Sequence, residues 1–557
     1  MFSSTLRPAA LAAAIGLLSL GAAVSSSADT RPQSLVDLIR AGQRDAVLAA
    51  ITSPDIDVNA AEPDGSTALL WATYTVDREM VRALLKAGAK ANVTNRFGSS
   101  PLAEAVKVGD VELARMLLGA GANPDSPNQD NQTALMLASS VGSLPIAKML
   151  IDKGAHTNAV ETFRGQTAVM WAAAENHPDI VDLLIAHGAN VKLRAKFDDW
   201  PRQMTSEPRA QFRQTGGLTA LLYATRSGCL RCAVSIVKAG ADVNQPNPDG
   251  ITPLINAIDN HSFDIAMFLL DKGANPGAWD MNGRTPLYVA VDMNSYAGFA
   301  GFGNGTFQGF GRPLTTRPPN TAKAMDVVNR LLSMGVDVNH QLTRMRPNGD
   351  GRGRFADYMM RGGTGPLMVA TLSYDNVAIK TLLAHGAEVD LPNVFQITPL
   401  MAAAAMSGSA RGFGPGPPSG DAQARILATI DLLLDAGANI NARVTDSHTH
   451  TAKMVAYIQG RDHEGQTALF SAAEAGWDKV VKHLVERGAD PTVRDASNKT
   501  ALDYARAPRP TGPGAAQPPT GPAAASRAST IAYLEGLLAK ADSNGNGIAG
   551  AHAGTSP

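Results

Sequence analysis

Cys229 and Cys232 are the only cysteines in a chain of 557 residues, and they stand three apart in "SGCLRCAV". That spacing serves thiol–disulfide exchange and haem attachment. A second pair of chemistry-bearing side chains, His448 and His450 in "SHTHT", lies two apart, with Asp446 and His463 near in sequence. On a strand both imidazoles point the same way, and imidazole is the commonest ligand for Zn²⁺ or Cu²⁺. Both pairs lack the rest of a site. No strand–helix–strand pattern of a thioredoxin surrounds the cysteines, and no histidine follows Cys232, which removes c-type haem. Nothing fixes a third ligand beside the histidines. A thiol-redox or metal-handling protein is therefore the alternative reading, and no catalytic, cofactor or metal residue is assigned.

Other motifs weaken in the same way. "GFGNGTFQGFG" and "NGDGRGRF" resemble phosphate-cradling loops but lack the strand before and the helix after that such loops need. "DSNGNG" opens like a calcium loop at Asp542, yet its twelfth position is Ala553 instead of glutamate. No Gly-x-Ser-x-Gly, His-Glu-x-x-His or P-loop occurs. A formal charge of −1 argues against a dedicated nucleic-acid binder. The N-terminus has a positive Arg7, an apolar run from Ala9 to Val24 and the small residues Ser26-Ser27-Ala28. This reads as a secretory signal peptide over 1–28, cut after Ala28, because the run is shorter than the roughly 20 residues of a bilayer span. A soluble periplasmic or secreted protein without a membrane span is the expectation.

The elements that hold these residues are repeats. Glycines follow aliphatic pairs at Gly88, Gly121, Gly154, Gly188, Gly240, Gly273, Gly335, Gly386, Gly437 and Gly488. Undisturbed spacings are 33 or 34 residues, a period that signals a stacked solenoid. In "DGITPLINAIDNHSFDIAMFLLDKGANP" a turn at Asp249-Gly250 leads to Thr252 as helix cap and Pro253 as first helical residue. Leu254, Ala257 and Ile258 form one apolar stripe, and Ile265, Phe268 and Leu269 a second on a following helix that Gly273 closes. Asn131 and Asn498 stand in for the turn glycine in two units.

The pattern resembles the ankyrin repeat, as "SSPLAEA", "GRTPLYVA", "QITPLMAA", "GQTALFSA" and "NKTALDYA" illustrate. The resemblance implies an all-α repeat fold, an ankyrin solenoid of about twelve helix-turn-helix/hairpin units, here within 29–540, with 541–557 as a disordered tail. The family's histidine after Thr-Pro-Leu is replaced by Leu70, Met136, Met170, Leu222, Tyr288 or Met401, so apolar packing is expected in place of a hydrogen bond between neighbours.

Six inserts break the period. Those at about 294–321, 407–421 and 507–526 lie between the two helices of a repeat and are rich in Gly and Pro. Those at about 193–216, 341–364 and 443–463 fall where the resemblance puts the hairpin finger, and carry net charges of +2, +3 and +1. Aromatics stand among the arginines there, the composition enriched at protein–protein hot spots. Trp200, Arg202, Arg344, Arg346, Arg352, Arg354 and Tyr358 are the candidate contact residues. The expectation is a non-enzymatic scaffold, a monomer, holding an acidic or extended protein on its concave face and fingers. Aligning "SGCLRCAV" on "VGDVELAR" sets Cys229 on Asp110 and Cys232 on Leu113, so the pair reads as a local disulfide staple at the start of a helix.

Overall fold

A computed structural model describes residues 34–197, 216–299, 319–343, 362–406, 421–445, 463–507 and 522–545. Helices come in antiparallel pairs, from Leu35–Arg40 with Arg44–Ala50 to Ala501–Arg506 with Pro522–Gly545. The pair Pro253–Asp259 and Phe263–Asp271 shows the local logic. The Thr252 hydroxyl accepts the Ile255 N–H at 3.2 Å, and Pro253 occupies a position that has no N–H to lose. Leu254, Ala257, Ile258 and Leu269 are fully buried, whereas Phe268 is half-buried against them. Gly273 ends the outer helix with φ +83°. Neither helix could bury its stripe alone, so the stripes of successive pairs merge into one core running the length of the stack. The residues replacing the family histidine (Leu70, Met136, Met170, Leu222, Tyr288 and Met401) are all buried, and Met136, Met170, Tyr288 and Met401 belong to that core.

Two polar series set the register between repeats. In the first, an asparagine bridges to the next unit: the Asn244 amide donates to the Gly273 carbonyl at 3.2 Å, and its oxygen accepts the Asn275 N–H at 2.6 Å. Asn59, Asn92, Asn158, Asn339 and Asn441 repeat the arrangement with their own neighbours. In the second, hairpin backbones join. The amides of Arg96, Thr162, Lys196 and Met281 donate to the carbonyls of Asp64, Asp130, Arg164 and Asp249 at 2.7–2.8 Å. Gly98 shows how close these tips come. At φ +74° a Cβ there would sit 2.7 Å from the Gln129 nitrogen.

Six of the short hairpins are locked by a side chain at their first position. The oxygen of Asn95, Asn128, Asn247, Asp280, Asn393 or Asp495 accepts two backbone N–H groups of its own turn, two and four residues on. Where a finger insert begins, that position is apolar and buried: Ala195, Leu342 and Val444. Backbone bonds close the root, with the amides of Ala195, Leu342 and Val444 donating to the carbonyls of Leu218, Thr364 and Gln466. The last two finger units match at one constant offset, Asn339, Leu342, Gly386 and Asn393 falling on Asn441, Val444, Gly488 and Asp495.

Helix bounds shift some of the expected borders. The inner helix Pro286–Phe299 runs into the segment read as an insert from 294. The final helix starts at Pro522, inside the insert read as ending at 526, and continues to Gly545, past the expected start of the tail at 541. Alanine-rich "PAAASRASTIAYLEGLLAK" is a strong helix former, which the proline count nearby obscured.

Replacing Asn244 by Ala removes both bridging bonds at one interface. The expected loss is about 1–2 kcal/mol, read as a lower urea midpoint with unchanged far-ultraviolet circular dichroism.

Candidate functional site

Trp200, Arg202, Arg344, Arg346, Arg352, Arg354 and Tyr358 lie outside the described residues, as do His448 and His450. What the structure does place is the edge from which those fingers spring. Along it large rings stand out into solvent: Phe97 is 58% exposed, Phe163 71% and Trp279 60% at short hairpins, and Phe197 55% at the root of a long finger. The side-chain locks and the backbone bonds between tips hold the loops, so the rings stand on fixed supports. Arg96 lies over Phe97 at 4.9 Å and Arg164 over Phe163 at 5.5 Å, while Trp279 stacks on His340 at 5.9 Å. Rings already ordered in this way lose little freedom when a partner covers them. The sequence reading passed over all four rings. For Phe97 and Phe163 the signal was an aromatic in a turn that elsewhere reads Asn-Gln-Asp-Asn or Asn-Pro-Asp-Gly.

Behind the tips, the inner helices line the concave face. On Ala68–Tyr74, the Trp71 indole N–H donates to a Glu62 oxygen at 3.1 Å. Arg40 pairs with both oxygens of Glu62 at 2.7 Å and lies over the Trp71 ring at 4.2 Å. On Ala168–Ala174 the same position is Trp171, and on the neighbouring Ala220–Ser227 it is Tyr223. Tyr223 accepts a 2.5 Å bond from the Gln166 amide, and burial pushes its hydroxyl pKa up. Arg226 lies over the Tyr223 ring at 4.9 Å, and burial lowers its pKa.

Cys229 and Cys232 are bonded to each other, with their Cα atoms 5.2 Å apart. Cys229 is the cap of helix Leu230–Lys238, its sulfur facing the Cys232 N–H at 3.1 Å. Equivalent outer helices use Asp77, Asp110 and Asp375 for the same task. The sulfurs therefore take over a capping role, and Arg231 between them ties the helix to Asp179 at 2.6 Å and Asp182 at 2.8 Å on the preceding unit. The two cysteines are 2% and 0% exposed. Thiol exchange requires attack on a sulfur, and a sealed pair offers none to a partner. Among the described residues no group of three His, Cys, Asp or Glu is placed to hold a metal ion, and no helix is long and apolar enough to cross a membrane. Exchanging the pair for Cys229→Asp with Cys232→Ala restores a carboxylate cap. Its melting temperature should exceed that of the Cys229→Ala, Cys232→Ala protein, by about 1 kcal/mol of stability in calorimetry.

A family model for ankyrin repeats in series matches residues 35–128, 102–195 and 221–299, and a single-repeat model matches 464–496. No curated protein matches the chain. The capped helix pairs, the hairpins that join them and these matches agree: residues 35–195, 221–299 and 464–496 are ankyrin repeats.

Proposed function

We propose that this is an exported, non-enzymatic scaffold that holds another protein against the concave face and finger edge of its solenoid. Ankyrin repeats generally mediate protein–protein interaction, and their proteins are typically scaffolds without catalysis. The observation that carries the reading is the row of exposed rings on Phe97, Phe163, Phe197 and Trp279, two of them covered by arginine. Exposed aromatics on rigid supports favour association, because their apolar area leaves water without a large entropic cost. The Arg-rich finger segments with Trp200, Arg202, Arg344, Arg346, Arg352, Arg354 and Tyr358 extend from the same edge in sequence and add positive charge. Positive charge and aromatic rings together suit an acidic or extended partner. Export rests on the leader at 1–28, and the solenoid acts as a monomer.

Two measurements test this. Protein purified from its native host should begin at Asp29 on N-terminal sequencing; an intact Met1 would refute export by a cleaved leader. Cross-linking in the native compartment should trap one stoichiometric partner. Changing Phe97, Phe163 and Trp279 together to Ser should abolish that product while the melting curve stays unchanged. A partner trapped equally well by the triple variant would remove the finger edge as the contact surface.

A further inference from the structure

Of the exposed rings on the finger edge, Trp279 is the one that adjoins a buried ion network. Asp280 follows it and locks the turn, its Oδ1 accepting the N–H groups of Asn282 at 2.9 Å and Arg284 at 3.0 Å. The Asp280 Oδ2 accepts Arg284 Nε–H at 2.7 Å, and Arg284 Nη1 donates to both oxygens of Asp259 at 3.2 Å. Asp259 ends the preceding inner helix, Pro253–Asp259. The guanidinium therefore fastens this hairpin tip to a helix of the unit before. The Asp280 side chain is wholly buried and that of Arg284 nearly so. Burial opposes the arginine's charge, yet Asp259 and Asp280 hold its pKa above the ordinary guanidinium value.

The hairpin does not need these charges in order to form. The position of Arg284 holds serine, glutamine, leucine, isoleucine or threonine in the other units, and an exposed lysine, Lys499, in the last. Asn247 with Ile251, and Asn393 with Ile397, close the same turn, each asparagine oxygen accepting the same two N–H groups. A buried ion network costs desolvation that apolar packing avoids; what it offers in return is a fixed geometry. Here the part held in place is a ring. Trp279 stacks on His340 of the next hairpin at 5.9 Å, and the Thr343 N–H of that hairpin donates to the Asn282 carbonyl at 3.1 Å. The two hairpins meet so closely that a Cβ on Gly283 would lie 2.6 Å from the Thr343 nitrogen.

We propose that Trp279 is the anchor of the partner contact, entering an apolar pocket of the partner protein, and that Arg284 is its positioning residue, acting through Asp280 and Asp259. Tryptophan is among the side chains most enriched at such anchors, and a ring already held from two sides loses little freedom on entering a pocket. Met281, exposed on the same tip, adds to the apolar surface. The inference rests on the scaffold reading and names its central contact.

The full chain labelled with 5-fluorotryptophan tests the positioning. The Trp279 resonance, identified by its loss in Trp279→Phe, should move in Asp259→Ala, which cuts the tie to the helix and leaves the Asp280–Arg284 pair in place. It should also move in the double variant Asp280→Asn, Arg284→Ile, which rebuilds the tip as Asn247 and Ile251 build theirs. The Trp71 resonance should stay in both, and the melting curves should match wild type. Should the double variant melt early, Asp259→Ala, which removes a part-exposed carboxylate, still decides. A Trp279 resonance unmoved in Asp259→Ala overturns the positioning role. Formaldehyde cross-linking in the native compartment tests the anchor. Trp279→Ser alone should lower the yield of the trapped product about tenfold, against about twofold for Phe97→Ser or Phe163→Ser, and Asp259→Ala should lower it about threefold. A loss with Trp279→Ser no greater than with either phenylalanine variant ends the inference and leaves the scaffold reading standing. No product with wild type removes the scaffold reading and the anchor with it.

Discussion

No unit of this chain can stand without the next, and the bridging asparagines state that dependence most directly. Each helix pair exposes an apolar stripe on both sides, which only neighbouring stripes can cover. Apolar contact has no preferred register, whereas the amide of Asn244 must meet one carbonyl and one N–H on the following unit. Repeated at Asn59, Asn92, Asn158, Asn339 and Asn441, this directional bond fixes how far each pair is advanced on the last. The hairpin-to-hairpin backbone bonds fix the tips a few residues further on, and those carrying Phe97 and Phe163 take their positions from both.

The inserts follow a local rule within this frame. In six units the hairpin stays short with an Asn or Asp that accepts two N–H groups of its own turn, and at Glu62 it stays short with Asp64 accepting the Ser66 N–H instead. It opens into a long finger where Ala195, Leu342 or Val444 points its apolar side chain into the core instead. The root bonds survive in each case, so a long finger is accommodated without disturbing the stack. Glu161 is an intermediate solution. One extra methylene in the side chain serves one extra residue in the loop, and the carboxylate is lost to the concave face.

The fold was legible because each unit repeats its own punctuation: a capping Thr, a proline or alanine at the first turn, a paired aliphatic stripe and a closing glycine. Ten near-copies turn weak local signals into a strong one. The register of Cys229 on Asp110 followed from that repetition, and the structure puts the sulfur where the carboxylate sits. The site was less legible. Composition drew attention to arginine-rich inserts, where charge is dense, and away from single rings such as Phe163 or Trp279 in short turns. The Gln166 amide bond to the Tyr223 hydroxyl could not be read from sequence, since it depends on how one unit's hairpin meets the next unit's inner helix. The final helix was misjudged at both ends because prolines before 522 and glycines after 544 framed an alanine-rich core.

The placing of the disulfide within one turn of one helix bears on how the molecule carries load. A pull on its two ends acts across the interfaces in series, and each interface is held by solvent-facing amide bonds and sliding apolar contact. The covalent link at Cys229–Cys232 bridges no interface, so tension along the axis never reaches it. Oxidation stiffens a single helix start, while the solenoid as a whole keeps the compliance of a spring whose coils, beyond the backbone that runs through them, are held together by noncovalent bonds.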